Sequence, residues 1–128
     1  MKTFLNILIV VSSILSQSQA LEAPKELKIL ASKIHSLNLD LTCKSHEDCV
    51  ALPVGYKACG GPERYIVASK ANIKFNELID TIDRHLKADK EWKNKENLGS
   101  TCDVLQKPTT RCQIKKCSAL GRVKLFGR

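Results

Sequence analysis

Six cysteines, Cys43, Cys49, Cys59, Cys102, Cys112 and Cys117, constrain this chain more than any other feature. All lie downstream of a stretch with the order of an export signal. Lys2 precedes an apolar run from Phe4 to Leu15, followed by a polar stretch ending Ser18-Gln19-Ala20. The small residues at Ser18 and Ala20 place cleavage after Ala20, so residues 1–20 are expected to be a signal peptide and Leu21 the mature start. Asn6 and Ser12-Ser13 interrupt the run, which falls short of the ~20 apolar residues of a spanning helix, so no transmembrane segment is expected in the mature chain. Export delivers the cysteines to an oxidising compartment, where an even set reads as a disulfide framework. Three bridges are expected. Six cysteines pair in 15 ways, and the spacing does not choose among them.

The remaining residues, 21–128, are enough for a single cysteine-rich domain, secreted or periplasmic, small enough for crosslinks to weigh heavily in its stability. No metal or other cofactor is expected. His46 does sit between Cys43 and Cys49, and four residues separate Cys112 from Cys117, but neither spacing is the two-residue separation of common zinc modules. With no leftover thiol, a cysteine nucleophile is equally disfavoured.

Periodicity divides the chain into helices and short strands. From Pro24 to about Leu39, Leu27, Leu30, Ala31, Ile34 and Leu37 recur at three- and four-residue intervals, an amphipathic helix with Pro24 suited to its first turn. Phe75, Leu78, Ile79, Ile82 and Leu86 predict a second, longer helix, capped near Ser69 or Asn72 and running to about Lys95, with Trp92 as a partly buried anchor. Acid–base pairs four apart, Asp80 with Arg84, Asp83 with Lys87 and Glu91 with Lys95, line its solvated side. Short strands are expected at Cys49 to Leu52, Tyr65 to Ala68, Cys102 to Leu105, Arg111 to Ile114 and Val123 to Phe126. The fold class that follows is α+β: one long helix and one shorter N-terminal helix against a small antiparallel sheet, stapled by disulfides.

The densest local pattern is Cys43-x5-Cys49, then Cys59-Gly60-Gly61-Pro62, then Tyr65 and Ser69, with the long helix and the distal cysteines after it. Two glycines and a proline behind a cysteine impose a tight turn. On these residues the chain resembles a group of small bacterial secreted proteins and lipoproteins that share a Cys-Gly-Gly-Pro turn, a following helix and a distal cysteine cluster. The resemblance covers about Cys43 to Cys117 and implies an extracytoplasmic bacterial domain. It implies no activity and carries over no functional residues. Unlike the lipoprotein members, this chain has no cysteine at the cleavage site to carry a lipid anchor.

Charge narrows the function classes. The full chain has 21 Lys and Arg against 13 Asp and Glu, a net of +8. From Arg111 to the end there are six basic residues, Arg111, Lys115, Lys116, Arg122, Lys124 and Arg128, and no acid. Such a segment suits an anionic envelope component or an acidic protein. Specific nucleic-acid recognition is not expected, since Phe126 is the lone aromatic among these charges. A binding module is therefore the leading expectation, its partner an unknown protein or an anionic surface. Protease inhibition is one form of it: Lys57, between Cys49 and Cys59, is the better reactive-site candidate, because Pro108 follows the rival Lys107. An enzyme is the least favoured class. His35, His46 and His85 form no convincing constellation with Asp40, Glu47, Asp48 or Asp83; His46-Glu47-Asp48 reads as a polar turn and His85 as part of the solvated face of the long helix.

Overall fold

A computed structural model describes residues 21–120. The signal peptide expected over 1–20, the strand expected at Val123 to Phe126 and the basic residues Arg122, Lys124 and Arg128 lie outside the described residues. Helix α1 spans Lys25–Leu37 and buries Leu27, Leu30, Ile34 and Leu37 along one stripe. A 3-10 turn at His46–Asp48 leads into strand β1, Cys49–Val54, which pairs antiparallel with β2, Arg64–Ser69, in the register Cys49 opposite Ser69 and Val54 opposite Arg64. Helix α2 covers Phe75–Lys95. The chain closes with a hairpin, β3 at Thr109–Gln113 and β4 at Lys116–Leu120.

Both helices cover the β1–β2 ribbon. Ile34 and Leu37 of α1, Leu52 and Val54 of β1, Ala68 of β2, and Leu78 and Ile82 of α2 form one apolar cluster. A fully buried aliphatic side chain of this size contributes roughly 1.5–3 kcal/mol, so these few residues hold the helical layer in place. Two amides fix its register: Asn38 Nδ2 donates to the Val67 carbonyl at 2.8 Å, and Asn72 Nδ2 to the Leu37 carbonyl at 2.9 Å. The start of α2, the end of α1 and the Cys49–Ser69 end of the ribbon therefore sit together.

The α+β class stands, but three details differ from the sequence expectation. The strands form two separate two-stranded sheets, β1–β2 and β3–β4. Cys102 to Leu105 is not a strand: Cys102, Asp103 and Val104 are exposed in a segment without regular structure, held by a disulfide rather than by a ladder. The inner face of α2 is also rotated, with Leu78, Thr81, Ile82, His85 and Asp89 buried while Ile79 and Leu86 are each 38 % exposed. His85 is thus a buried residue and not part of the solvated face, because it follows Leu78 by seven positions on the stripe that Leu78 and Ile82 turn inward. Trp92 is half-buried, and the Asp83–Lys87 pair forms at 2.7 Å.

All six cysteines are bridged: Cys43–Cys112, Cys49–Cys117 and Cys59–Cys102. The first two lie side by side and make a second small core with Leu41 and Val67. Cys43, Cys49 and Cys117 bring their sulfurs within 4.8 Å of one another. Each is spent in a bridge, and a metal ligand requires the thiolate.

Candidate binding surface

Two places gather the candidate residues: the loop between β1 and β2, and the apex of the β3–β4 hairpin. In the first, Gly60 and Gly61 have φ of 104° and 79°, values that L side chains rarely adopt. They let the loop close on itself, with Gly60 N donating to the Lys57 carbonyl at 2.9 Å and Lys57 N to the Gly61 carbonyl at 3.2 Å. Around it α2 supplies a polar clamp. Asp89, 3 % exposed, accepts from Tyr56 N at 2.8 Å and from Lys93 Nζ at 2.9 Å. Lys93 Nζ also donates to the Tyr56 carbonyl at 2.7 Å and to Glu63 at 2.6 Å. Burial alone works against the charge on this ammonium, yet its hydrogen bonds to Glu63 and Asp89 prevail and raise its pKa.

Lys57 belongs to this clamp. It is 8 % exposed, and its Nζ donates to the backbone carbonyl and the carboxylate of Asp103. A protease engages an inhibitor through a projecting side chain, and Lys57 is folded inward as a strut between two loops. Hydrogen bonds from Thr101 and Lys57 hold the Asp103 carboxyl below its usual range, which keeps the carboxylate that receives the strut ionised.

The hairpin apex is built differently. Gln113 pairs with Lys116 across a two-residue turn, Ile114-Lys115. Both turn residues have positive φ, 49° and 58°. A two-residue hairpin with this backbone normally takes Asn-Gly, because a side chain with a Cβ meets the following carbonyl there. A β-branched residue is the worst placed, and Ile114 is also 98 % exposed, gaining no packing in return. Strain of this kind persists only where the surroundings over-determine it.

Those surroundings are the two adjacent bridges, which enter the hairpin at Cys112 and Cys117, the pair directly behind Gln113 and Lys116. The extended segment from Leu41 to Cys43 runs along β4: Cys117 N donates to the Leu41 carbonyl at 2.9 Å and Cys43 N to the Lys115 carbonyl at 3.1 Å. On the other strand, Cys112 N donates to His46 Nδ1 at 3.0 Å, which leaves the imidazole proton on Nε2, and Thr110 Oγ1 donates to the Cys49 carbonyl at 3.0 Å. An open groove of about 710 Å³ lies beside the apex, with Lys44, His46, Glu47 and Lys115 on its walls.

Of the basic residues singled out in the sequence, Lys115 and Lys116 are exposed at this apex and Arg111 is half-buried on β3. Lys107 is exposed in the irregular stretch before β3. His46, Glu47 and Asp48 serve the local turn: the Asp48 carboxylate accepts from Lys44 N at 2.8 Å and Ser45 N at 3.2 Å, and these bonds lower its pKa. Strand β4 and the exposure of Ile114 were not legible, because the turn between Cys112 and Cys117 has neither the Asn nor the Gly that marks one. The spacing carried the available signal, since two cysteines with four residues between them fit opposite one another across a two-residue turn.

These features define a class: a small α+β domain with a disulfide-locked hairpin that projects an apolar, basic tip. In comparisons with known proteins the chain matches no family model, no curated protein and no solved structure.

Proposed function

We propose that the protein is an exported, disulfide-locked binding module, acting outside the bacterial cytoplasm, that engages an anionic partner through the β3–β4 apex. Residues 1–20 serve as its signal peptide and the mature domain works by binding rather than by chemistry. Support for the compartment comes from the three bridges, which form and persist in oxidising surroundings. No helix among the described residues is long and apolar enough to cross a membrane.

The observation that carries the reading is Ile114. It is almost fully exposed, in a backbone conformation that disfavours it, on a hairpin held rigid from behind, and two exposed lysines follow it. Rigid presentation lowers the conformational cost of association, which is the advantage a stapled tip has over a flexible basic tail. The deciding experiment is capture from envelope and culture-medium extracts by the oxidised protein, run beside Lys115→Glu/Lys116→Glu and at low and high salt. Retention that fails in the double variant and weakens at high salt, where the Debye length is ~3 Å at 1 M, is the expected result. Equal retention by the double variant places the binding surface elsewhere.

A further inference from the structure

We propose that the partner is an anionic lipid surface, on which Ile114 enters the headgroup–acyl boundary and Lys44, Lys115 and Lys116 meet the headgroup charge; this rests on the apex being the binding surface. The shape of the tip favours lipid. Ile114 is not part of the wall of the groove beside the apex; it stands 98 % exposed at the crest of a rigid turn, where a lipid interface yields around an apolar side chain that no pocket of the protein encloses. Lysines flanking such a residue keep their ammonium groups at headgroup level while their stems lie along the apolar boundary.

Three acids lie nearby: Asp48 directs its carboxylate to the amides of Lys44 and Ser45, Asp40 to that of Thr42, and Glu47 stands on the groove wall. Amide bonds leave a carboxylate its charge, so the positive excess on this side rests on Lys70 and Lys74 together with Lys44, Lys115 and Lys116, five exposed lysines against three acids. A second exposed isoleucine repeats the pattern. Ile73 is 95 % exposed, with Lys70 and Lys74 on either side, both exposed as well. It leaves the ribbon at the end where the hairpin attaches: Lys70 N donates to the Asp48 carbonyl at 2.7 Å, Ser69 Oγ donates to the Thr42 carbonyl at 2.6 Å, and Thr42 bridges to Lys116. Ile73 is the second point of contact. Val104, 82 % exposed, supplies a control, because it follows Asp103, the partner of Lys57 in the clamp beyond the far end of the ribbon.

The test is co-sedimentation of the oxidised protein with phosphatidylcholine vesicles, with mixed phosphatidylcholine–phosphatidylglycerol vesicles, and, as a lipid-free arm, retention on immobilised dextran sulfate. Binding to the mixed vesicles and not to the neutral ones is expected. Ile114→Ser should weaken vesicle binding about tenfold, the loss of a partly buried aliphatic side chain, and leave dextran sulfate retention unchanged. Ile73→Ser should act in the same direction, and Val104→Ser should have no effect. Lys115→Gln/Lys116→Gln should weaken both arms, by about fivefold per lysine on vesicles. Vesicle binding that Ile114→Ser leaves intact overturns insertion, and an Ile73→Ser variant as indifferent as Val104→Ser overturns the second contact. Retention on dextran sulfate without vesicle binding overturns the lipid assignment while the apex remains an anion-binding surface. Failure on every support overturns both readings.

Discussion

His85 is the residue at which the chain departs most from the amphipathic pattern. It is 7 % exposed and its Nδ1 has no hydrogen-bond partner, so burial pushes the imidazole pKa down. Asp89 and Glu63 pull it back up, Arg64 and Lys93 push it further down, and burial prevails. Well above pH 6.5 the ring is uncharged in both folded and unfolded chains and contributes nothing to the pH dependence. Below about pH 6.5 the unfolded chain takes up a proton that the folded one resists, so stability falls as pH falls toward the lowered folded value. Urea denaturation at steps from about pH 7 to 5 should show this slope, and His85→Leu should flatten it. The carboxylates held low by hydrogen bonds, Asp40, Asp48, Glu77 and Asp103, begin to lose their contribution only below about pH 5, at the acid edge of that window. A slope unchanged by the substitution would assign the acid sensitivity to another group.

Among the elements, the β3–β4 hairpin carries backbone strain at its turn, which on the proposed reading is the cost of presenting Ile114. Its two left-handed turn residues each cost roughly 1–2 kcal/mol relative to an unstrained choice. Replacing Ile114-Lys115 by Asn-Gly relieves about 2–4 kcal/mol of strain, less the residual cost of Asn in that region and roughly 0.5–1 kcal/mol for the chain entropy glycine loses, so it should stabilise the domain by about 1–2 kcal/mol in thermal or urea unfolding while weakening partner binding. A stability gain without loss of binding would show that the tip is strained for another reason. In the sequence, the helices were the legible elements, because α1 buries the stripe that its leucines and isoleucine mark out. On α2 the same rule erred by a fraction of a turn. Apolar residue type placed Ile79 and Leu86 inside, yet the clamp on the β1–β2 loop requires Asp89 and Lys93 to face that loop, and the rest of the helix follows their rotation.

At the scale of the molecule, stability is shared between a small apolar cluster and two crosslinks whose loops overlap almost completely and cross in sequence. Cys43–Cys112 and Cys49–Cys117 close spans of 69 and 68 residues, but once either is made the other closes only a loop of roughly a dozen residues. On the chain-entropy account the first bridge contributes about 4 kcal/mol and the second about 3. Removing one pair as alanines should cost about 3 kcal/mol. Removing both should cost about 7, exceeding the sum of the two single losses by about 1 kcal/mol in a double-mutant cycle. Strict additivity would mean that packing of the sulfurs, not chain entropy, dominates. The Cys59–Cys102 bridge stands apart: both its cysteines are exposed, so limited reduction followed by alkylation and mass spectrometry should label them before the buried Cys43, Cys49 and Cys117.

Local and compositional facts were decided by the sequence alone: an even cysteine set that ends fully bridged, two amphipathic helices, and an α+β class. Each follows from residue periodicity or counting, which needs no knowledge of what lies across the fold. Tertiary structure alone decided which of 15 pairings forms, that Lys57 is a buried strut, that His85 turns inward, and that an isoleucine crests a turn normally built from Asn and Gly. Those outcomes depend on contacts between residues 30 to 69 positions apart, such as Lys93 with Glu63, Lys57 with Asp103 and Cys43 with Cys112, and a one-dimensional pattern carries no record of which distant segments meet.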